Sequence, residues 1–68
     1  MQKPVSSLKI GELFLRVTLD TELGEFGVAM RDQDGNAYFE ENHIATLAQL
    51  EAAYRAAHML GVGCGEAA

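Results

Sequence analysis

The side chains able to do chemistry are few and lie far apart. His43, His58 and Cys64 could ligate a borderline metal such as zinc. Structural zinc sites are built from tight pairs of the C-x-x-C or H-x-x-x-H kind, and no two of these three residues stand at such a spacing. The simpler reading is a loop histidine, a histidine near a helix C-terminus where the dipole favours it, and a thiol in a glycine-rich tail. Asp32-Gln33-Asp34-Gly35-Asn36 has the oxygen-rich composition of a calcium-binding loop. Such loops need glycine at their sixth position and a glutamate at their twelfth. Here Gly35 comes fourth and both flanks pattern as strands, so the segment reads as a hairpin turn. A nucleophilic Cys64 would need an adjacent base and an ordered pocket, and its glycine neighbours supply neither. Ser6 and Ser7 have no base nearby in the sequence. The expectation is a chain with no catalytic residues, no metal and no cofactor: not an enzyme.

Charge narrows the partners. Ten Asp and Glu against five Lys and Arg give a formal charge of −5 over 68 residues. Nucleic-acid binders carry basic patches, so direct nucleic-acid binding is not expected. The acidic set Asp20, Glu22, Glu25, Asp32, Asp34, Glu40 and Glu41 falls at turns and strand ends. It would steer toward a protein with a basic surface, or simply keep the chain in solution. No apolar run approaches the length of a membrane span, and the N-terminus lacks the continuous apolar core of a signal peptide. Those features, with a single cysteine, point to the cytoplasm, and to the host cytoplasm if the chain is phage-encoded.

The positioning elements follow from periodicity. Residues 1–68 form one small domain, with residues 1–7 (MQKPVSS) as a flexible leader and residues 62–68 as a flexible tail. LFLRVTLD, residues 13–20, alternates strictly: Leu13, Leu15, Val17 and Leu19 face one way, and Phe14, Arg16, Thr18 and Asp20 the other. Ile10, Leu13, Phe14 and Val17 also fit a helical stripe, but Gly11 and the β-branched Val17 and Thr18 favour a strand. TELGE is a turn with Gly24 free to take a positive φ, and residues 26–31 place Phe26, Val28 and Met30 on one face. DQDGN, with Gly35 in the left-handed region, turns the chain into a third strand over residues 37–41. Thr46 and Gln49 form a reciprocal capping box, so a helix begins at Leu47; it runs to about residue 60, with Gly61 as its left-handed terminator. The fold class is α+β: a three-stranded antiparallel meander followed by one helix.

That helix has two faces. Leu47, Leu50, Tyr54 and Ala57 share one arc, expected to cover the meander at Leu13, Leu15, Val17, Phe26, Val28, Met30 and Phe39. Ala48, Ala52, Ala56 and Met59 lie elsewhere, and small residues four apart let two helices approach closely. A chain of this size buries only about 60% of its unfolded surface and leans on disulfides, metals or partners. With one cysteine and no metal expected, a homodimer through Ala48, Ala52, Ala56 and Met59 is the natural staple. Alanine is also the best helix former and fills a solvent face without further purpose.

For a partner protein, the outward side of the meander offers Phe14, Arg16, Tyr38, Glu40 and Glu41, with the two aromatics as anchors; both rings could instead be covered within a dimer. FGVAMRDQDGN followed by TLAQLEAAYRAA resembles the small β-β-α core of HicB-type antitoxins, over roughly residues 17–60. Phe26, Gly27, Val28, Asp32, Gly35, Thr46 and Leu47 match that outline, while the turn prolines of the family are missing and the loop before Thr46 is longer. The resemblance implies a non-enzymatic module that sequesters another protein. In type, the chain is also similar to small phage-encoded inhibitors, such as anti-CRISPR proteins and anti-activators of quorum-sensing regulators. The expected function is inhibition or sequestration of another protein by direct contact. The alternative is a small structural or assembly subunit of a phage or multiprotein complex.

Overall fold

The computed structural model describes residues 2–66, the last three by their backbone alone. The chain forms β1 (Gln2–Ile10), β2 (Leu13–Asp20), β3 (Glu25–Arg31), β4 (Ala37–Ile44) and α1 (Leu47–Glu66). The strands make one antiparallel sheet in the order β1-β2-β3-β4, with the helix laid across one face. The fold is therefore α+β, but with four strands where the periodicity predicts three.

The additional strand is the segment read as a leader. β1 pairs with β2 from Gln2↔Asp20 to Ile10↔Leu13, and Ile10 is its single buried residue. An edge strand that buries almost nothing needs no alternation, which is why its sequence looks unstructured. Pro4 is tolerated there because an edge strand has one side free of ladder bonds. The turn into β2 is Gly11-Glu12, and only the glycine has a positive φ (62°). That is the pattern of a type II′ turn, which matches the twist of the flanking strands.

The other turns follow the residues that suggested them. Gly24 and Gly35 take φ of 67° and 88°. The Asp20 carboxylate accepts the Glu22 and Leu23 N–H groups at 3.0 and 3.2 Å. Asp32 holds the β3–β4 turn by accepting from Asp34 N–H and Asn36 N–H (2.9 Å each), Asn36 Nδ2 and the Tyr38 hydroxyl (3.1 Å each).

Leu13, Leu15 and Val17 of β2, Val28 and Met30 of β3 and Ile44 of β4 are buried against Ala53 and Ala57 of the helix. Phe26, Phe39, Leu50, Tyr54 and Leu60 close the margins of this core. The strand alternation of β2 is thus a half-buried strand and not a helix. The helix starts where its capping box places it. Gln49 N–H donates to Thr46 Oγ1, and Gln49 Oε1 accepts from the Ala45 and Thr46 N–H groups, all at 3.2 Å.

Three expectations about the helix are corrected. Leu47 is 79% exposed, and the helix buries Ala53 and Ala57 instead, with Leu50, Tyr54 and Leu60 packed beside them. Gly61 does not end the helix, which continues to Glu66. A Cβ on Gly61 would lie 2.9 Å from Ile10 Cγ2 and from Met30 Cε, so glycine here lets the helix backbone settle onto the sheet. Residues 62–66 accordingly belong to the helix and not to a tail; residues 67–68 lie outside the described residues, as does the Cys64 side chain.

Candidate interaction surfaces

With the helix on one side, the other side of the sheet is uncovered. Residues paired across antiparallel strands share a face, so the register assigns it. Lys9 pairs with Phe14 and Phe14 with Arg31; Arg16 pairs with Ala29, and Ala29 with Glu40. These side chains form two adjoining shallow depressions. One, of about 380 Å³, is lined by Phe14, Arg16, Arg31, Asp32, Gln33 and Gly35. The second, of about 240 Å³, shares Arg16 and Arg31 with the first and continues over Gly27 and Ala29 toward Thr18, Glu40 and Asn42. Its floor is low because β3 carries small residues there. Asn42 Oδ1 and Thr18 Oγ1 lie 2.8 and 3.0 Å from the place a Cβ on Gly27 would occupy, so those two side chains reach toward one another above the glycine.

Charges on this face are partly spent. Arg31 donates to Glu40 Oε1 at 3.1 Å and to the Gly35 carbonyl at 3.2 Å. Lys9 Nζ sits 5.9 Å from the centre of the Phe14 ring, within cation–π range. Arg16 is exposed and has no ion-pair or hydrogen-bond partner for its guanidinium among the described residues. Asp32, at the rim, has its carboxyl held below the usual carboxylate range, first by the Asn36 side-chain amide and then by the Asn36 backbone N–H. Asp20 is lowered as well, chiefly by the Leu23 N–H. Both carboxylates from the acidic set are therefore occupied in building turns.

Of the residues suggested for partner contact, the sheet brings Phe14, Arg16 and Glu40 together on the uncovered face. Tyr38 stands at the end of that face, its hydroxyl tied to Asp32. Glu41 is not with them: it pairs with the buried Val28, so it points to the helix side of the edge strand. Arg31 and Ala29 belong to the surface although the sequence did not single them out, as does Gly27, which stood out only for its match to the antitoxin outline. The period-two pattern of β3 places Gly27, Ala29 and Arg31 opposite Val28 and Met30, which was the available signal.

A second surface lies on the outside of the helix. Ala48, Ala52, Ala56 and Met59 are all exposed, and Leu47 and Val62 are exposed apolar residues of the same element. Met59 leaves 69% of its surface open. Glu51 and Arg55 form an i,i+4 ion pair at 2.9 Å, and the His58 ring stacks on Tyr54 with centroids 6.4 Å apart. The sheet edges, by contrast, are interrupted. β1 has a register shift at Pro4/Ser6, and β4 has one on each side of Val28–Met30. At the second of these edges His43 adopts φ 61° and places Nδ1 3.0 Å from Glu25 Oε1.

Among the described residues no group of three or more His, Cys, Asp or Glu side chains could hold a metal ion. None of their helices is long and apolar enough to cross a membrane. Comparison of the chain with protein-family models, with curated proteins and with solved structures gave no match.

Proposed function

We propose that this chain is a non-enzymatic binding protein that inhibits or sequesters another protein by direct contact, working as a homodimer. The helix face of Ala48, Ala52, Ala56 and Met59 joins two copies, and the uncovered sheet face meets the partner, as in an antitoxin-like module or a phage-type inhibitor. One observation carries the reading: a two-layer molecule whose outer surfaces are left apolar along the alanine stripe of the helix and uncovered on the sheet. Its accessible surface is 4628 Å². A folded monomer of its mass would expose about 4,200 Å². The difference, about a tenth, fits a fold that leaves surface for a partner to cover.

Acidic side chains around the sheet, Asp34 in the β3–β4 turn and Glu41 on the edge strand among them, steer toward a protein whose surface is basic overall. The surface depressions are shallow, and of the carboxylates beside them Asp32 is engaged in a turn and Glu40 with Arg31, which favours contact over catalysis.

Sedimentation equilibrium is expected to give a dimer at micromolar concentration. Capture from the cognate cell lysate should recover one protein, and Phe14→Ala and Tyr38→Ala should each lose it while keeping the native circular dichroism. A monomer at every concentration removes the dimer, and capture unaffected by both substitutions removes the sheet face. Assembly beyond a dimer would instead favour a structural subunit.

A further inference from the structure

The uncovered sheet face has a charge pattern unlike the rest of the chain. Three of the five basic residues, Lys9, Arg16 and Arg31, stand on it by register, in a molecule whose net charge is −5. Two of these cations are engaged, Lys9 by the Phe14 ring and Arg31 by Glu40 and the Gly35 carbonyl. Arg16 is left, exposed, at the junction of the two depressions and two residues along β2 from Phe14. Phe14 itself is 38% exposed.

From this arrangement we infer that the Phe14–Arg16 depression docks a protein segment carrying one carboxylate beside an apolar side chain. The inference rests on the binding reading above and names the chemistry of the contact. A guanidinium recognises a carboxylate through two parallel N–H···O bonds, which a lone cation on a protein surface otherwise satisfies with water. The adjacent ring supplies the apolar contact that excludes water from the pair. The number of charges selects the partner class. A nucleic acid would need a run of cations along its backbone, and here Arg31 is ion-paired with Glu40 while Glu40 and Asp32 border the same depressions. Strand addition is disfavoured by the register shifts at both edges, so the segment meets the face and not the rim. The chain's overall negative charge draws in a basic protein from a distance, and Arg16 then selects the acidic spot on it.

The test is a titration of the isotopically labelled full chain, followed by amide NMR. The probes are blocked Ser-Leu-Glu-Leu-Ser, its Gln and Lys counterparts, and a short oligothymidine. The Glu peptide should move the amides of residues 14–18 and 27–31. The Gln and Lys peptides, and the Glu peptide on Arg16→Gln, should bind about three- to fivefold more weakly. Arg16 is exposed, so the variant's spectrum should otherwise match the wild type. Equal binding of the Glu and Gln peptides, indifference to Arg16→Gln, shifts confined to the helix, or oligothymidine binding at this face would each overturn the inference. Sedimentation of the same samples separates the two readings. A dimer that ignores the Glu peptide sinks this inference alone, and a monomer that binds it sinks only the dimer.

Discussion

Asp32 shows how much a single residue can settle. Its carboxylate takes four hydrogen bonds inside one turn, and DQDGN announced that role because Asp and Gly are the residues such a turn requires. Hydrogen bonds to the charged form hold its carboxyl below the ordinary range. A carboxyl depressed in the folded state adds stability that is present above its unfolded pKa and lost as pH falls through the folded value, here below about pH 4. Asp32→Asn should therefore lower the urea midpoint at neutral pH, and the gap to wild type should narrow in acid. A constant gap across that range would contradict the assignment. His43 is the opposite case, since nothing in ENHIA marks a left-handed residue. A side chain with a Cβ is strained at φ 61°, by roughly 1–2 kcal/mol. His43→Gly removes that strain but also loosens the unfolded chain and gives up the exposed contact to Glu25. The net expectation is a gain of about 0.5–1 kcal/mol in urea unfolding; a loss would mean the Glu25 contact matters more than the backbone.

Elements were legible in proportion to what they bury. β2 and β3 alternate because one face of each is sealed by the helix, and the helix start was readable because Thr46 and Gln49 satisfy its first N–H groups locally. β1 was not readable: eight of its nine residues are exposed, so no burial pattern was imposed on its sequence. The helix end was misread for a related reason. Glycine signals both a terminator and a close approach, and only the neighbours Ile10 and Met30 decide which it is at Gly61. The two uses predict different mutational outcomes. Gly61→Ala should gain about 1 kcal/mol of helix propensity but lose about 1–3 kcal/mol to overpacking, a net destabilisation. Gly63, with open space where its Cβ would be, should give up to about 1 kcal/mol of stabilisation as Gly63→Ala. Chemical denaturation of both variants measures the pair, and equal effects would place Gly61 outside the packed interface.

At the scale of the whole molecule, the proposed dimer and the docking face lie on opposite layers, so they should be separable by mutation. Ala52→Glu puts a charge into the centre of the outward helix face, where it is harmless to a monomer and costly in a helix–helix contact. It should convert the dimer to a monomer in sedimentation without changing circular dichroism, and the Glu-peptide shifts should survive. An unchanged dimer would move the contact away from Ala52. The layer arrangement itself was half legible. The helix was expected to cover the strands, and the uncovered side followed from alternation, but the pairing of Arg31 with Glu40 depends on a register that no local pattern encodes. The interrupted rims bear on how the chain behaves when crowded. A proline and a skipped rung on one side, and two skipped rungs with a left-handed residue on the other, deny an incoming backbone any long row of free donors. Strand addition between folded copies is therefore disfavoured at both rims, and copies that meet are left to seal against each other broadside.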